Sequence, residues 1–548
     1  MAKFNTIDKR AAARGAGPII AEATPTGPTH EGAPGYGRDE KSELFLLAVS
    51  NMVGEDTFYE KAGARDSRYA QLVQTVAVLD PQWMAGFLGW LREDANMRSA
   101  SLVGAAEAAQ ARLITRAGVW PANPVRTAKA GDAAPTQVPQ VTTRAMVASV
   151  LQRADEPGEF LAYWTARYGR NLPQPIKRGV ADAARRLYTP YAALKYDTPS
   201  HGFRFGDVLD LTHPSPSDHE QSELFRYLID RRHNHPADQN QLTKLPMVWE
   251  NQQLRDAVAQ GNAAGLFDPV KLRAAGMTWE DALSLAGSGV DKAKLWTALW
   301  PTMGYMALLR NLRNMDEAGV TDAVAVDIAA RLANPLQVAK SRQFPYRFLA
   351  AYENAPNLRW GKALDTALNL SLANLPDLPG RTLVLIDTSA SMQSGLSSRS
   401  KMSPAKAAAV FGVALAARCG ADLVGFADGT FAHRIPKAAS VIREVERFLE
   451  RTGEVGHGTM IARSVRAAFN KHDRVFIISD MQTMDRDTTS AVPADVPLYG
   501  FNLGGYKHTA LPAGSVAFRH EFGGLTDATF RMVPLIEAGR RAAWPWLD

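Results

Sequence analysis

The stretch "TLVLIDTSASMQSG", Thr382 to Gly395, decides the fold of the second part of the chain. Its first five residues are apolar or β-branched, which is typical of a strand buried on both faces of a sheet. An aspartate follows at once, and serines come two and four residues after it. Because a two-residue spacing puts side chains on the same side of extended backbone, we expect Asp387, Ser389 and Ser391 to face one way.

Strands and helices alternate after this point. Ser403 and Pro404 open a helix, with Ser at the N-cap and Pro at the first helical position. Further strands are predicted at "ADLVGFA" (421–427), "VFIISD" (475–480) and "LYGFNL" (498–503), with helices near 438–451 and 459–470. This alternation predicts a parallel sheet with helices on both faces, so we expect residues 376–548 to form a doubly wound α/β domain.

Two of the predicted strands end in aspartate. Ligands bind such sheets outside the carboxyl ends of the strands, where Asp387 and Asp480 fall. Between them, the Gly-rich "GEVGHGTM" places Thr459 at the start of a helix. Carboxylates and hydroxyls are hard oxygen ligands, which suit Mg²⁺ or Mn²⁺ better than Zn²⁺. The candidate ligands are therefore Asp387, Ser389, Ser391, Thr459 and Asp480. The alternative is that these residues only cap helices.

A serine hydrolase is the other sharp interpretation of the two serines. It needs a G-x-S-x-G elbow and a later catalytic histidine. Neither Ser389 nor Ser391 has that glycine bracket, and nothing in the sequence around His457 or His508 supports a catalytic role. We therefore predict no catalytic residue and expect a binding protein, not an enzyme.

Bulk properties limit the class of protein. A chain of 548 residues is too long for one core. The net charge of +6 permits a polyanionic partner without requiring one. A single cysteine, Cys419, excludes an internal disulfide and fits a reducing compartment. The N-terminus lacks the apolar core of a secretory signal, and no apolar run reaches membrane-spanning length, so we expect a cytoplasmic protein.

The first part of the chain has a different pattern. Residues 1–38 are rich in Gly, Pro, Ala and Thr, which predicts a flexible arm. Residues 39–375 show helical periodicity nearly throughout, as in "PQWMAGFLGWLRED", which fits stacked helical hairpins. The tryptophans within these helices are predicted to pack in the core rather than to stack on bases; they are Trp83, Trp90, Trp296 and Trp300.

Basic residues cluster in this helical region. Between Arg167 and Arg186 there are six basic residues and one acid, and Arg178 and Arg185 are seven apart and share a helix face. Such a face can track phosphates, although a solvated charged surface is the alternative. A second cluster, between Ala329 and Tyr352, has four basic residues and no acid.

Several motifs resemble known families. Asp387-Thr-Ser389-Ala-Ser391 matches the DxSxS signature of von Willebrand factor A domains, and Thr459 and Asp480 match that family's other two metal-site loops. The resemblance implies a metal-ion-dependent adhesion site. In such a site the hydroxyls bind the cation directly, and the aspartates bind it directly or through water.

Segments of the helical region resemble, in order, the TROVE module of the Ro autoantigen family. They are "LPQPIKRGVADAARRLYTPYAALKYD" (172–197), "THPSP" (212–216), "YMALLRNLRNM" (305–315) and "AKSRQFPYRFLAAY" (339–352). A TROVE module followed by an A domain is the Ro architecture. The resemblance implies a ring of HEAT-like helical repeats closed by the A domain. It also implies Y RNA on the outer surface of the ring and single-stranded 3′ ends of misfolded RNA in its hole. We expect the protein to be a monomer without membrane attachment. Bacterial members are associated with polynucleotide phosphorylase through a Y RNA.

One segment departs from the family pattern. Where the family has Ser-His-Lys-Asp, this chain reads Arg204-Phe205-Gly206-Asp207, so Arg204 is the candidate substitute for the histidine. The candidate RNA contacts are Arg170, Lys177, Arg178, Arg185, Arg186, Arg204, Arg310, Arg313, Lys340, Arg342 and Arg347.

Two alternative functions stay open. One is an A-domain adaptor that binds protein partners without RNA. The other is a metal-dependent nuclease, although the site has few of the acidic ligands that a two-metal nuclease needs.

Overall fold

The computed structural model describes residues 16–50, 53–116, 141–200, 202–235, 239–343, 345–372, 378–395, 402–436, 439–523, 527–538 and 542–547. The chain divides into two compact units. One consists of Met1–Leu72 with Val326–Asp548, and the other of Val73–Ala325. This differs from the predicted boundaries at 38 and 375, because the N-terminal segment and the last helices before the sheet share a unit with the α/β domain.

Helices dominate the chain up to residue 371. They are α1 (Glu40–Ser50), α2 (Ala62–Leu79), α3 (Pro81–Glu93), α4 (Arg98–Arg116), α5 (Thr143–Val150), α6 (Glu156–Tyr168), α7 (Gln174–Leu187), α8 (Pro190–Tyr196), α9 (Phe205–Thr212), α10 (His219–Arg232), α11 (Gln239–Thr243), α12 (Pro246–Ala259), α13 (Pro269–Ala274), α14 (Trp279–Ala286), α15 (Lys292–Leu299), α16 (Tyr305–Arg310), α17 (Leu312–Glu317), α18 (Asp322–Leu332), α19 (Pro335–Ser341), α20 (Pro345–Asn354) and α21 (Leu358–Ser371). In the part of the chain that the structure describes, no helix is long and apolar enough to cross a membrane.

Helix α3 shows how local sequence produces these elements. The Asp80 carboxylate accepts a hydrogen bond from the backbone N–H of Trp83, and Pro81 occupies the first turn, where it sacrifices no helical hydrogen bond. Trp83 and Trp90 of this helix are buried, as is Trp296 of α15, which confirms their predicted place in the core. Trp300 is half-buried.

The α/β domain contains one six-stranded sheet. Its strands are β3 (Thr382–Asp387), β4 (Asp422–Phe426), β5 (Thr430–His433), β6 (Arg474–Ser479), β7 (Leu498–Asn502) and β8 (Arg519–Gly523), and a separate hairpin of β1 (Gly27–Pro28) and β2 (Pro34–Gly35) lies near the N-terminus. The order is β5-β4-β3-β6-β7-β8, parallel except for β5, which runs antiparallel to β4. The helices of this domain are α22 (Pro404–Cys419), α23 (Val441–Leu449), α24 (Ile461–Ala468) and α25 (Asp527–Glu537).

Both faces of the sheet are covered by helices. On one face, Leu383 and Leu385 share a buried cluster with Ile461 of α24. On the other, a Cβ added to Gly412 of α22 would lie 2.4 Å from Cδ1 of Ile386, so that helix approaches the sheet closely enough to require glycine. Every residue of β3 is buried, as expected for a central strand of a doubly wound sheet.

The N-terminal segment is hydrogen-bonded to the α/β domain. Tyr36 exchanges backbone hydrogen bonds with Thr509, and Arg38 pairs with Glu521 of β8. The predicted flexible arm is therefore wrong for residues 16–38, whereas residues 1–15 lie outside the described residues. Composition predicted the lack of regular structure, but the partners of this segment are hundreds of residues away in sequence.

Candidate metal site and basic surface

The two predicted aspartates lie at the same edge of the sheet. Asp387 is the last residue of β3, and Asp480 follows the end of its parallel neighbour β6. Both are buried, with exposed fractions of 0% and 4%. Parallel neighbours end at the same edge, so the topology places two carboxylates at the position where such sheets bind ligands.

Hydrogen bonds fix the DxSxS turn. The Asp387 Oδ1 accepts from the backbone N–H of Ser389 at 2.8 Å, and its Oδ2 accepts from the Ser479 hydroxyl at 2.6 Å. The Ser389 and Ser391 hydroxyl oxygens lie 3.2 Å apart. The structure thus brings together the three side chains that the two-residue spacing predicted to face one way.

Thr459 lies on the loop that packs against this edge. Its carbonyl accepts from the Thr483 hydroxyl at 3.1 Å and from the backbone N–H of Met484 at 2.9 Å. The Thr459 hydroxyl and the Asp480 Oδ2 are buried and have no hydrogen-bond partner within the described structure. Buried polar atoms rarely remain unsatisfied, and these two oxygens are available to a cation.

The donor set is what a hard cation requires. No group of three or more His, Cys, Asp or Glu side chains within the described ranges is placed to hold a metal ion. The site offers instead two carboxylates and three hydroxyls, all oxygen donors. Because Mg²⁺ binds through one or two carboxylates and keeps several waters, these residues fit Mg²⁺.

The electrostatics of the site favour a positive charge. Burial raises the pKa of Asp387 and of Asp480, and the pKa of Asp480 is raised further by the neighbouring charge of Asp387. The charge of Glu31 adds to the pKa increase at both. Burial also raises the pKa of Tyr59, as does its hydrogen bond to Glu31, so the phenol stays protonated and donates to the carboxylate.

Sequence reasoning missed several residues around this site. The Asp428 carboxylate, just beyond the end of β4, accepts from the backbone N–H groups of His457 and Gly458 at 2.9 and 3.1 Å. A Cβ added to Gly456, whose φ is +91°, would lie 2.0 Å from this carboxylate, which explains the glycines of the loop. Asp428 could have been predicted, because it is a third aspartate just beyond the end of a strand. The sequence around Tyr59 and Glu31 contains no pattern that predicts their position at the site.

Helix α7 presents a basic face. Its apolar positions, which include Ile176 and Val180, are buried, and the opposite side carries cations. The α7 basic face is defined as Lys177, Arg178 and Arg185 of the helix together with Arg170, which precedes it in the chain. Lys177 is half-buried and the three arginines are exposed, and none of the four pairs with a carboxylate of the described chain.

The remaining charges near this face are satisfied within the protein. Asp182, the one acid of the cluster, pairs with Arg144, whose Nη2 lies 2.7 Å from its Oδ1. The Arg186 guanidinium donates to the backbone carbonyls of Ala148 and Leu151. Arg186 therefore stabilises the end of α5. Because Asp182 is paired with Arg144, no acid of α7 competes with RNA for the cations of the α7 basic face.

The other predicted contacts occupy two different compact units. In the helical unit, Arg310 and Arg313 are exposed, and Arg313 lies 3.5 Å from Glu317. In the unit that contains the α/β domain, Lys340, Arg342 and Arg347 are exposed. Arg342 has a φ of +50° and ends α19.

The family model of the TROVE domain matches residues 177–360, a segment that begins on the α7 basic face. Over this segment, about a third of its length, the chain is similar to the TROVE domain family. The resemblance found in the sequence is thereby confirmed for this segment.

The chain is also similar to parts of two curated proteins and to one solved structure. Telomerase protein component 1 of Mus musculus is 39% identical over 83 residues, and that of Rattus norvegicus is 30% identical over 142 residues. These segments cover 15% and 26% of this chain but only 3% and 5% of those proteins. The crystal structure of the Deinococcus radiodurans Ro (RSR) protein matches with a TM-score of 0.59 and 18% identity, over 91% of this chain and all of that one. This likeness confirms the predicted fold class, a helical-repeat module followed by an α/β domain.

The departure from the family pattern lies inside the segment that matches the TROVE family model. Phe205 stacks on Tyr188 with ring centroids 4.0 Å apart, so the position of the family's histidine is filled by a core aromatic. The Arg204 guanidinium pairs with Asp197 at 2.8 Å, and the side chains are 14% and 1% exposed. Arg204 is thus committed to a buried acid, which makes it a poor substitute for a histidine that contacts RNA.

Proposed function

We propose that this TROVE-domain protein binds RNA, with the α7 basic face as the surface that captures the phosphate backbone. The observation that carries the proposal is the set of four cations on and beside one amphipathic helix, without acid partners in the described chain. Unpaired cations of this kind release counterions from RNA and gain affinity by doing so.

The likeness to a Ro protein supports a proposal for the kind of RNA. We infer that the chain binds a Y-like noncoding RNA on the outer surface of a helical ring and takes single-stranded 3′ ends of misfolded RNA into the central hole. Arg310, Arg313, Lys340, Arg342 and Arg347 are the further candidate contacts. Because Arg204, Phe205 and Gly206 depart from the family pattern, we expect the recognised RNA to differ in the part that this segment would contact.

The cellular role that fits this activity is RNA quality control. In this proposal the chain acts as a cytoplasmic monomer, and its RNA tethers an exoribonuclease such as polynucleotide phosphorylase. The chain itself binds and presents RNA without cutting it.

The α/β domain adds a divalent cation, Mg²⁺ or Mn²⁺, in this proposal. Asp387, Ser389, Ser391, Thr459 and Asp480 would hold it, and the support is the pair of buried, unsatisfied atoms on Thr459 and Asp480. When bound, the cation neutralises the carboxylates and offers an open coordination position. The protein's own part is to hold the ligands rigidly, through Ser479 for Asp387 and through Asp428 for the Thr459 loop.

Co-purification tests the function at the lowest cost. The full chain, expressed and purified in low salt, should carry nucleic acid that an absorbance ratio detects and RNA sequencing identifies. Protein free of nucleic acid, which also fails to bind labelled RNA, would contradict the proposal and favour the adaptor without RNA. Shortening of a labelled RNA by the pure protein with Mg²⁺ would favour the nuclease.

A further inference from the structure

The N-terminal segment docks on the loop that carries Asp480. The Thr29 hydroxyl donates to the Thr483 carbonyl at 2.8 Å, and the His30 backbone N–H donates to Oε1 of Gln482 at 2.7 Å. The Gln482 backbone N–H in turn donates to Oδ1 of Asp480 at 3.1 Å. A turn more than 440 residues away in sequence is therefore one hydrogen-bonded step from a candidate metal ligand.

The next residue of this turn, Glu31, is held at the rim of the site by Tyr59. The Tyr59 hydroxyl donates to the Glu31 carboxylate, and the Ser391 hydroxyl is close enough to Tyr59 to lower its pKa. The charge of Glu31 also raises the pKa of Asp387 and of Asp480, so this carboxylate lies beside the two candidate ligands. The Tyr59 ring is fixed by stacking on His30, with centroids 5.0 Å apart.

Three carboxylates thus converge without a basic counterion. Asp387, Asp480 and Glu31 have no Lys or Arg partner among the described residues, and the nearby Arg65 and Arg68 pair with Glu60 instead. Like charges in a buried site repel one another unless a cation neutralises them. Glu31 is too far from the other two for all three to bind one ion directly. A water on a cation bridges such a gap, because the metal–oxygen distance of about 2.1 Å and one hydrogen bond together span about 5 Å.

We propose that Glu31 is an outer-sphere ligand of the divalent cation, accepting a hydrogen bond from a water that the cation holds. The proposal rests on the cation site inferred above. Binding of the cation therefore adds a hydrogen bond at Glu31, which holds the turn of residues 29–33 more firmly on the α/β domain. An acidic residue of a partner that approaches the same water must displace Glu31 from it.

Calorimetry with Mn²⁺ on the metal-free full chain tests this inference. Glu31→Gln keeps the shape and the Tyr59 hydrogen bond but removes the charge, and we expect its Kd to rise at least tenfold, in line with the cost of removing outer-shell partners. Glu22→Gln, at an exposed position of the same segment, is the matched control and should stay within about twofold of the wild type. Mn²⁺ binding by Glu31→Gln that equals wild-type binding overturns the role of Glu31 alone.

Failure of the site itself gives a different result. If the wild type binds no Mn²⁺, or if Asp387→Ala binds it undiminished, the cation site is wrong and the role of Glu31 falls with it. Hydrogen exchange supplies a readout independent of affinity. Saturating Mn²⁺ should slow exchange in residues 27–38 of the wild type and leave Glu31→Gln unchanged, whereas equal slowing in both proteins contradicts the coupling.

Discussion

Arg38 and Glu521 form a bidentate ion pair in which neither side chain has any exposed surface. The two nitrogen–oxygen distances are 3.0 and 2.7 Å, and the pair joins the N-terminal segment to strand β8. The Glu521 carboxylate also accepts from Asn502 and Thr509, and the Arg38 guanidinium donates to the carbonyl of Tyr506. This ion pair therefore holds the segment that carries Glu31 on strand β8. Each of its two buried charges is neutralised by the other.

Removal of one partner of this pair should be costly. We expect Arg38→Met to lower the free energy of unfolding by about 3–5 kcal/mol, because Glu521 keeps a buried charge without its counterion. Urea unfolding measures the effect. The double variant Arg38→Met/Glu521→Met should be no less stable than the single one, and a simple sum of two losses would contradict the argument. Lys507→Met, an exposed neighbour, serves as the control.

His520 should make stability depend on pH. Burial, and then the charge of Arg519, lowers the pKa of His520 from 6.5 to about 4, so the folded protein binds fewer protons than the unfolded chain between those values. Stability from this group is present above pH 6.5 and is lost as the pH falls towards 4. Between pH 7 and pH 5 the loss is about 2 kcal/mol.

His520→Gln should remove that share of the pH dependence. Urea unfolding at both pH values measures it in the wild type and the variant. His219→Gln, at a side chain that is 80% exposed, should behave as the wild type. Equal pH dependence in His520→Gln and the wild type would show that the histidine titrates normally.

Asp480→Asn should have opposite effects with and without metal. In EDTA at pH 7.5 the substitution removes a buried charge beside Asp387, so we expect the melting temperature to rise by roughly 2–4 °C. Added Mg²⁺ should stabilise the wild type, by about 2.7 kcal/mol at one hundred times Kd, and should leave the variant unchanged. Thermal unfolding with and without MgCl₂ measures both, with the exposed Asp495→Asn as control. Equal stabilisation of Asp480→Asn by Mg²⁺ would refute its role as a ligand.

Gly206→Lys restores the residue of the Ro family pattern and should destabilise this chain. A Cβ at Gly206 would lie 2.4 Å from the Arg232 Cβ and 2.8 Å from the Leu228 carbonyl oxygen, so α9 and α10 must separate. We expect a loss of about 1–3 kcal/mol, typical of overpacking. Gly202→Lys, at an open position of the preceding loop, should cost little. An unaffected Gly206→Lys would mean that the two helices shift easily.

Much of the α/β domain was predictable because its signals are local. Strands β3 and β6 are continuous apolar runs that end in aspartate, and the Ser403 and Pro404 cap begins α22 where the sequence placed it. Strands β5 and β8 escaped prediction because neither is a continuous apolar run. "TFAH" is a short edge strand, and "RHEFG" is a strand whose charged side chains are satisfied by tertiary partners.

The surroundings of the candidate metal site were not predictable, since they depend on contacts between distant residues. Glu31 comes close to the site only because the N-terminal segment, which its Gly and Pro content marked as flexible, docks there and brings Glu31 to Tyr59. The RNA candidates show the same limit. Charge counts selected Arg186 and the family resemblance selected Arg204, but only the folded chain shows that one donates to backbone carbonyls and the other to Asp197.

RNA affinity as a function of salt tests the central claim most directly. The measurement is fluorescence anisotropy of a labelled stem-loop RNA with a single-stranded 3′ tail, between 50 and 200 mM salt. We expect wild-type Kd values in the nanomolar-to-micromolar range and a steep loss of affinity with salt. Lys177→Glu/Arg178→Glu should weaken binding at least tenfold and reduce the slope of log K against log salt by about 1.5–2. Lys271→Glu/Lys292→Glu, with the same change of charge at exposed positions on α13 and α15, should bind nearly as the wild type. Affinity that is flat across this salt range, or equal in the wild type and the Lys177→Glu/Arg178→Glu variant, would contradict RNA capture by the α7 basic face.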